Sequence, residues 1–252
     1  LGAIYFQYHR FGLASKVAIK GLDFLRQNGR SEYRSHLSRM LAETLIRNRS
    51  YLEAVQTLDQ VIRQSEDSVQ ASLAFARVGD IYFDLNNYEL SSDIYTLSAI
   101  GFREQRKLMP VYSILLGESL FWMGDFVKSR EALREGINIF EMMTSDSTQY
   151  LYAPWAQLRI ADTFLAQYEQ KAGKPSYLKS SLLHPDLKSA KLSYFKVISK
   201  YPKSEAAKIA KIRLACLELP FYEGNNIDHA QKMLEDAPYN TKVFRKIRLK
   251  KN

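Results

Sequence analysis

Small and apolar residues recur along this chain with the spacing of one helix face. Four windows carry a small residue, an aromatic nine positions later and a second small residue three after that: Gly2/Phe11/Ala14, Ala42/Tyr51/Ala54, Gly79/Tyr88/Ser91 and Gly117/Phe126/Ser129. Three positions after each first small residue stand Tyr5, Leu45, Tyr82 and Leu120; sixteen after stand Ala18, Leu58, Tyr95 and Leu133; nineteen after stand Gly21, Val61, Ser98 and Gly136. Within each arm these offsets are three or four residues, so every column lies on one face of a helix. Self-similarity at this period predicts stacked helix–turn–helix units, about twelve helices in all.

The column types have a physical reason. Small residues at the start and at +12 sit where two helices cross, and a large side chain there would hold the backbones apart. The +9 aromatic opens the second helix and covers the end of the first. Turn formers precede it: Asn48-Arg49-Ser50, Asn86-Asn87 and Gly124-Asp125, residues that tolerate capping or left-handed backbone.

With these columns the chain resembles the tetratricopeptide repeat (TPR) family. Leu41-Ala42…Leu45…Tyr51…Ala54…Leu58 and Val78-Gly79…Tyr82…Tyr88…Ser91…Tyr95 follow the family pattern, although Ser38, Phe75 and Ser113 stand at its early Trp. The small starts are 40, 37 and 38 residues apart, against 34 in the standard repeat. The resemblance implies an all-α, right-handed superhelical solenoid of antiparallel helix pairs. It also implies that the residue after each small start faces a concave groove. That residue is acidic in Glu43, Asp80, Glu118 and Asp162, and one turn later come Ile46, Phe83, Phe121 and Leu165, with Trp122 adjacent. An acidic ladder beside an apolar strip would suit a partner peptide or helix bearing Lys/Arg and apolar anchors. The competing reading is that the acids merely solvate the groove while Phe83 and Phe121 pack between units. Trp122 is the best single anchor, and Trp155 is expected to pack a later unit.

Two further units are less regular. Ile160-Ala161…Phe164 reads as a first helix whose partner is delayed to Ala190…Tyr194…Val197…Pro202. The second small residue comes 29 positions on instead of 12, an insertion of 17 residues. Gly173-Lys174-Pro175 and His184-Pro185 place an inserted loop at about 171–185, and Pro185-Asp186 suits a helix start. Leu214-Ala215 and Ala230…Leu234…Ala237 form a last pair. Residues 144–152 are the expected hinge in a single solenoid over 1–252. Residues 186–220, through Tyr201-Pro202-Lys203-Ser204 and Ala206-Ala207, resemble bacterial envelope TPR proteins of the BamD type and the Tol–Pal-associated protein. That likeness implies a periplasmic or envelope location. Gly2 already sits inside the first helix of the register, so a longer natural chain is expected.

Charge is unevenly spread over the net +9. Residues 171–213 hold 11 Lys and Arg against Asp186 and Glu205, while 1–170 hold 18 basic and 20 acidic residues. Residues 240–252 add Lys242, Arg245, Lys246, Arg248, Lys250 and Lys251 without an acid. A basic third can attract anionic membrane, nucleic acid or an acidic protein, or simply solvate an outer face. Scattered Lys and the lack of a nucleic-acid motif disfavour nucleic acid. The tail interleaves Val243, Phe244, Ile247 and Leu249, as a capping helix, a continuing domain or a membrane-surface element would. No apolar run reaches the roughly 20 residues of a membrane span.

Candidate chemistry is absent from the pattern. His9, His36, His184 and His229 make no metal-ligand spacing, Gly117-Glu118-Ser119 lacks the second Gly of a nucleophile elbow, and no phosphate-binding Gly loop occurs. The lone Cys216 excludes an internal disulfide. No catalytic, metal or cofactor residue is assigned. The expectation is a non-catalytic scaffold for a protein partner within a larger assembly, with an adaptor working through the basic third as the alternative.

Overall fold

The computed structural model describes residues 1–28, 33–64, 68–101, 109–143, 149–172 and 184–218. These hold eleven helices and no strand, so the chain is all-α. Two compact units divide it, Leu1–Gln105 and Arg106–Asn252. The first contains α1 (Gly2–Gln7), α2 (Phe11–Gln27), α3 (Arg34–Arg47), α4 (Tyr51–Gln64), α5 (Ser68–Asp84) and α6 (Tyr88–Gly101). The second contains α7 (Met109–Trp122), α8 (Phe126–Met142), α9 (Gln149–Ala172), α10 (Pro185–Lys200) and α11 (Glu205–Glu218). In each unit, successive helices pack side by side as antiparallel hairpins.

The small columns form the helix crossings. Ala14, Ala42, Ala54, Ala161 and Ala190 have no exposed surface. A Cβ added at Gly79 would lie 3.0 Å from both Ile94 Cγ2 and Tyr95 Cε1, and one at Gly117 would lie 2.5 Å from Leu133 Cγ. The Ser129 hydroxyl donates to the Gly117 carbonyl at 2.7 Å, tying the +12 position of one helix to the start of its partner. Around these crossings Ile46, Leu58, Val61, Val78, Ile81 and Ile94 make a core in the first unit. In the second, Leu158, Leu165, Leu187, Tyr194, Val197 and Leu214 make another, with Trp155 packed against it. Burial of each such large side chain contributes roughly 1.5–3 kcal/mol.

The hairpin turns share one backbone device. The residue at +7 is left-handed in all four regular units: His9 at φ 57°, Arg49 at 62°, Asn86 at 59° and Gly124 at 83°. Each is followed by an amide that donates five residues back, as Arg10 to Tyr5, Ser50 to Leu45, Asn87 to Tyr82 and Asp125 to Leu120. This capping closes the orphan carbonyls of the first helix. At the same register position of the fifth unit lies Tyr168, which is helical and buried.

α9 therefore runs through the place where its siblings turn, and at 24 residues it is longer than any other described helix. Several boundaries differ from the sequence expectation as a result. Residues 149–152 belong to α9, where Tyr152 stacks on Phe140 with centroids 6.2 Å apart; the rest of the expected hinge, 144–148, lies outside the described residues. Lys171 and Ala172 are helical, and α10 opens at Pro185, where His184 Nδ1 accepts from the Asp186 amide. The remainder of the expected 171–185 loop lies outside the described residues, as does the Ala230…Ala237 helix. The Tyr201–Ser204 turn ends in a capping serine: Ser204 Oγ accepts from the Ala207 amide at 3.1 Å and donates to the Tyr201 carbonyl at 2.8 Å.

Candidate interaction surface

The acids that follow the small residues are not an open ladder. Asp80, Glu118 and Asp162 are 1–2% exposed; only the Glu43 side chain reaches solvent appreciably, at 32%. Each carboxylate is held by an arginine that sits two residues before a small start. In the first unit, Arg77 donates from Nε and Nη2 to the two Glu43 oxygens, both at 2.6 Å, and from Nη1 to Asp80 at 2.7 Å. The Tyr95 hydroxyl donates to the other Asp80 oxygen at 2.6 Å. Burial by itself lowers the Arg77 pKa, but the carboxylates of Asp80 and Glu43 outweigh it and raise the pKa above the ordinary arginine value.

The second unit repeats the arrangement. Arg159 donates from Nε to Glu118 at 2.8 Å and from Nη1 to Asp162 at 3.3 Å. Tyr194 donates to Asp162 at 2.8 Å, and Arg213 donates to the same oxygen. The guanidinium face of Arg159 lies 4.2 Å from the Phe121 ring centroid and 5.9 Å from that of Trp122. These ion pairs brace successive first helices, and of the acids expected to line a groove, Asp80, Glu118 and Asp162 are buried against arginines while Glu43 alone stays partly open.

The arginines were overlooked in the sequence although a signal was there. Arg77, Arg159 and Arg213 each stand two before a small residue, Gly79, Ala161 and Ala215, and Arg77 and Arg159 stand three before an acid. The Tyr at +16 in one unit, Tyr95, and at +33 in the other, Tyr194, differ by the 17-residue insertion.

The aromatics split. Phe83 is buried and meets Tyr88 edge-on at 5.2 Å; Phe121 is buried between Trp122 at 5.5 Å and Phe126 at 5.7 Å. Trp122 is 38% exposed. It ends α7 at the hairpin turn, and the exposed Met123 and Val127 extend the same apolar rim. Leu52 and Leu85 occupy turn-rim positions in the first unit and are exposed as well. The basic candidates Lys242, Arg245, Lys246 and Arg248 lie outside the described residues. Among the described residues no cluster of three His, Cys, Asp or Glu could hold a metal, and no helix is long and apolar enough to cross a membrane.

RapI in its apo form superposes with a TM-score of 0.69 at 15% identity, over 93% of this chain and 62% of RapI. The fold is TPR-like. A Podosopora anserina kinesin light chain with nearly identical TPR-like repeats gives 0.53 at 13% identity, over 88% of this chain and 99% of its own. BtubC (BKLC) from P. vanneervenii gives 0.52 at 10%, over 85% and 94%. This chain spans less than two thirds of the length of RapI. No protein-family model matches the sequence, and no curated protein matches it. At these identities the TPR-like likeness is one of fold.

Proposed function

We propose that this chain is a non-catalytic protein-interaction scaffold that holds a partner segment against the apolar rim of the α7–α8 turn. The observation that carries the reading is Trp122, exposed at the turn yet seated edge-on against buried Phe121 and over Arg159. A half-exposed aromatic braced from below is the geometry from which binding hot spots are made. Met123 and Val127 widen the patch. The partner chemistry that fits is an apolar or aromatic side chain on a helix or extended segment. A requirement for partner Lys or Arg loses its support, because Glu43, Asp80, Glu118 and Asp162 already serve arginines of the chain itself.

The test is capture from native lysate with wild type and Trp122→Ala at two salt concentrations, with helicity of both proteins matched by circular dichroism. Loss of a discrete protein in the variant is the expected result. Full retention of the same protein by Trp122→Ala would overturn the rim as the docking site. The adaptor reading rests on the basic segments 171–213 and 240–252; salt-sensitive recovery of anionic lipid or nucleic acid in place of a protein would favour it. For location, we propose the bacterial envelope, supported by the resemblance of residues 186–220.

A further inference from the structure

Among the described residues, Arg130 departs from every other buried arginine. It projects from α8 towards α9 and is 8% exposed. Arg77, Arg159 and Arg213 each meet a carboxylate directly. Arg130 meets neutral groups: Nη1 donates to Thr163 Oγ1 at 3.3 Å and Nη2 to Gln167 Oε1 at 3.0 Å. Its guanidinium lies 4.4 Å over the Phe164 ring. Buried arginines are ordinarily paired with an acid, because an uncompensated charge is costly to desolvate.

The surroundings do not supply the missing charge. Gln167 turns its amide nitrogen to Asp186 at 3.2 and 3.3 Å, and Lys171 donates to Asp186 at 3.0 Å, so that carboxylate is already engaged. Burial, then the field of Arg134 one turn along α8, lowers the Arg130 pKa further than Asp186 and Glu131 raise it. Unlike Arg159 Nη2, no nitrogen of Arg130 is both sealed from solvent and unbonded, so any of its nitrogens without a protein partner keeps some access to solvent. A planar donor on an aromatic platform, fixed by two neutral acceptors and flanked by a second cation, is built to take a carboxylate through two parallel hydrogen bonds.

We propose that Arg130, with Arg134 beside it, is a binding site for an Asp or Glu side chain of a docked protein segment. It rests on the scaffold reading for the occupant being a protein, and its test needs no partner. The Arg130 Nε–Hε resonance, assigned by its loss in Arg130→Gln, is followed while acetyl-hexaglutamate amide, acetyl-hexaglutamine amide or inorganic phosphate is added. Hexaglutamate is expected to shift it saturably and hexaglutamine is not. Arg130→Gln should weaken hexaglutamate binding by about tenfold or more, the scale of one charged hydrogen bond, while Arg130→Lys and Arg134→Gln weaken it less. Thermal melts establish that the variants fold, and if Arg130→Gln does not, the Arg130→Lys and Arg134→Gln affinities carry the test. An unmoved Arg130 resonance, an equal response to hexaglutamine, or a response to phosphate alone would overturn the proposal. Capture of a Trp122-dependent partner with an unresponsive Arg130 would defeat this site and leave the scaffold reading standing.

Discussion

The two units solve the same problem with different charge balance. In the first, one arginine serves two acids, and the outer acid, Glu43, stays partly in water. In the second, two arginines serve two acids, and all four side chains are 1–2% exposed. The register positions are the same, with Arg at −2, acid at +1 and a Tyr hydroxyl from the second helix. The difference lies in the added Arg213, which gives Asp162 a second cation so that two arginines balance two acids. A sealed set of charges is held by geometry alone, because water cannot substitute for a lost partner.

Breaking the sealed set should therefore have the largest effect. Glu118→Gln removes one of the two carboxylates that hold Arg159 and leaves an excess positive charge in the interior, so it is expected to cost about 3–5 kcal/mol in denaturant unfolding. Glu43→Gln, at a site where water can replace the carboxylate, should cost under about 1 kcal/mol. Equal costs at the two positions would mean that burial does not set their difference. The helix crossings come next. Gly117→Ala must displace Leu133 and is expected to cost about 1–3 kcal/mol by overpacking, with Gly79→Ala at the gentler end because its contacts begin at 3.0 Å. A reversed order would show that the Leu133 side chain gives way more readily than Tyr95 and Ile94.

Smaller effects test the turns. Asp125 caps α8, accepting from the Lys128 amide at 3.1 Å. Asp125→Ala should cost about 1 kcal/mol at neutral pH. Burial raises the Asp125 pKa, but the hydrogen bonds and charge of Lys128 lower it by more, so it lies below its ordinary value of 3.8. Its folded pKa is depressed, so the contribution is present above the unfolded value and lost as pH falls through the folded one. The gap between wild type and Asp125→Ala should thus close in melts taken below about pH 3.8. Last, Arg49 is left-handed at φ 62° where Gly124 stands at the matching turn. Arg49→Gly should stabilise the first unit by up to about 1 kcal/mol by removing the Cβ clash, whereas Gly124→Arg should do the reverse. A lower melting temperature for Arg49→Gly would mean that unfolded-chain entropy outweighs that strain.

Much of the fold was legible in advance because helix spacing, small residues at crossings and turn formers are local signals. The four regular hairpins, their aromatic openings and the delayed partner of Ala161 could all be read from offsets. Part of the site could not. An acid at +1 reads alike whether it faces a groove or an arginine, and several of the deciding partners lie far away in sequence, as Arg77 34 residues from Glu43 and Arg213 51 from Asp162. Tyr168, at the register position where the four regular units turn, is helical; its ring is buried and meets His184 at 4.8 Å.

By itself the sequence determined the repeat, the helix pairs, the small crossings and the uneven charge, since each follows from residue type at fixed spacing. Tertiary structure alone decided which charges are interior and which face water. Burial depends on what packs over a residue, so Asp80, Glu118 and Asp162 became braces, Trp122 stayed at the rim, and Arg130 was left without an acid.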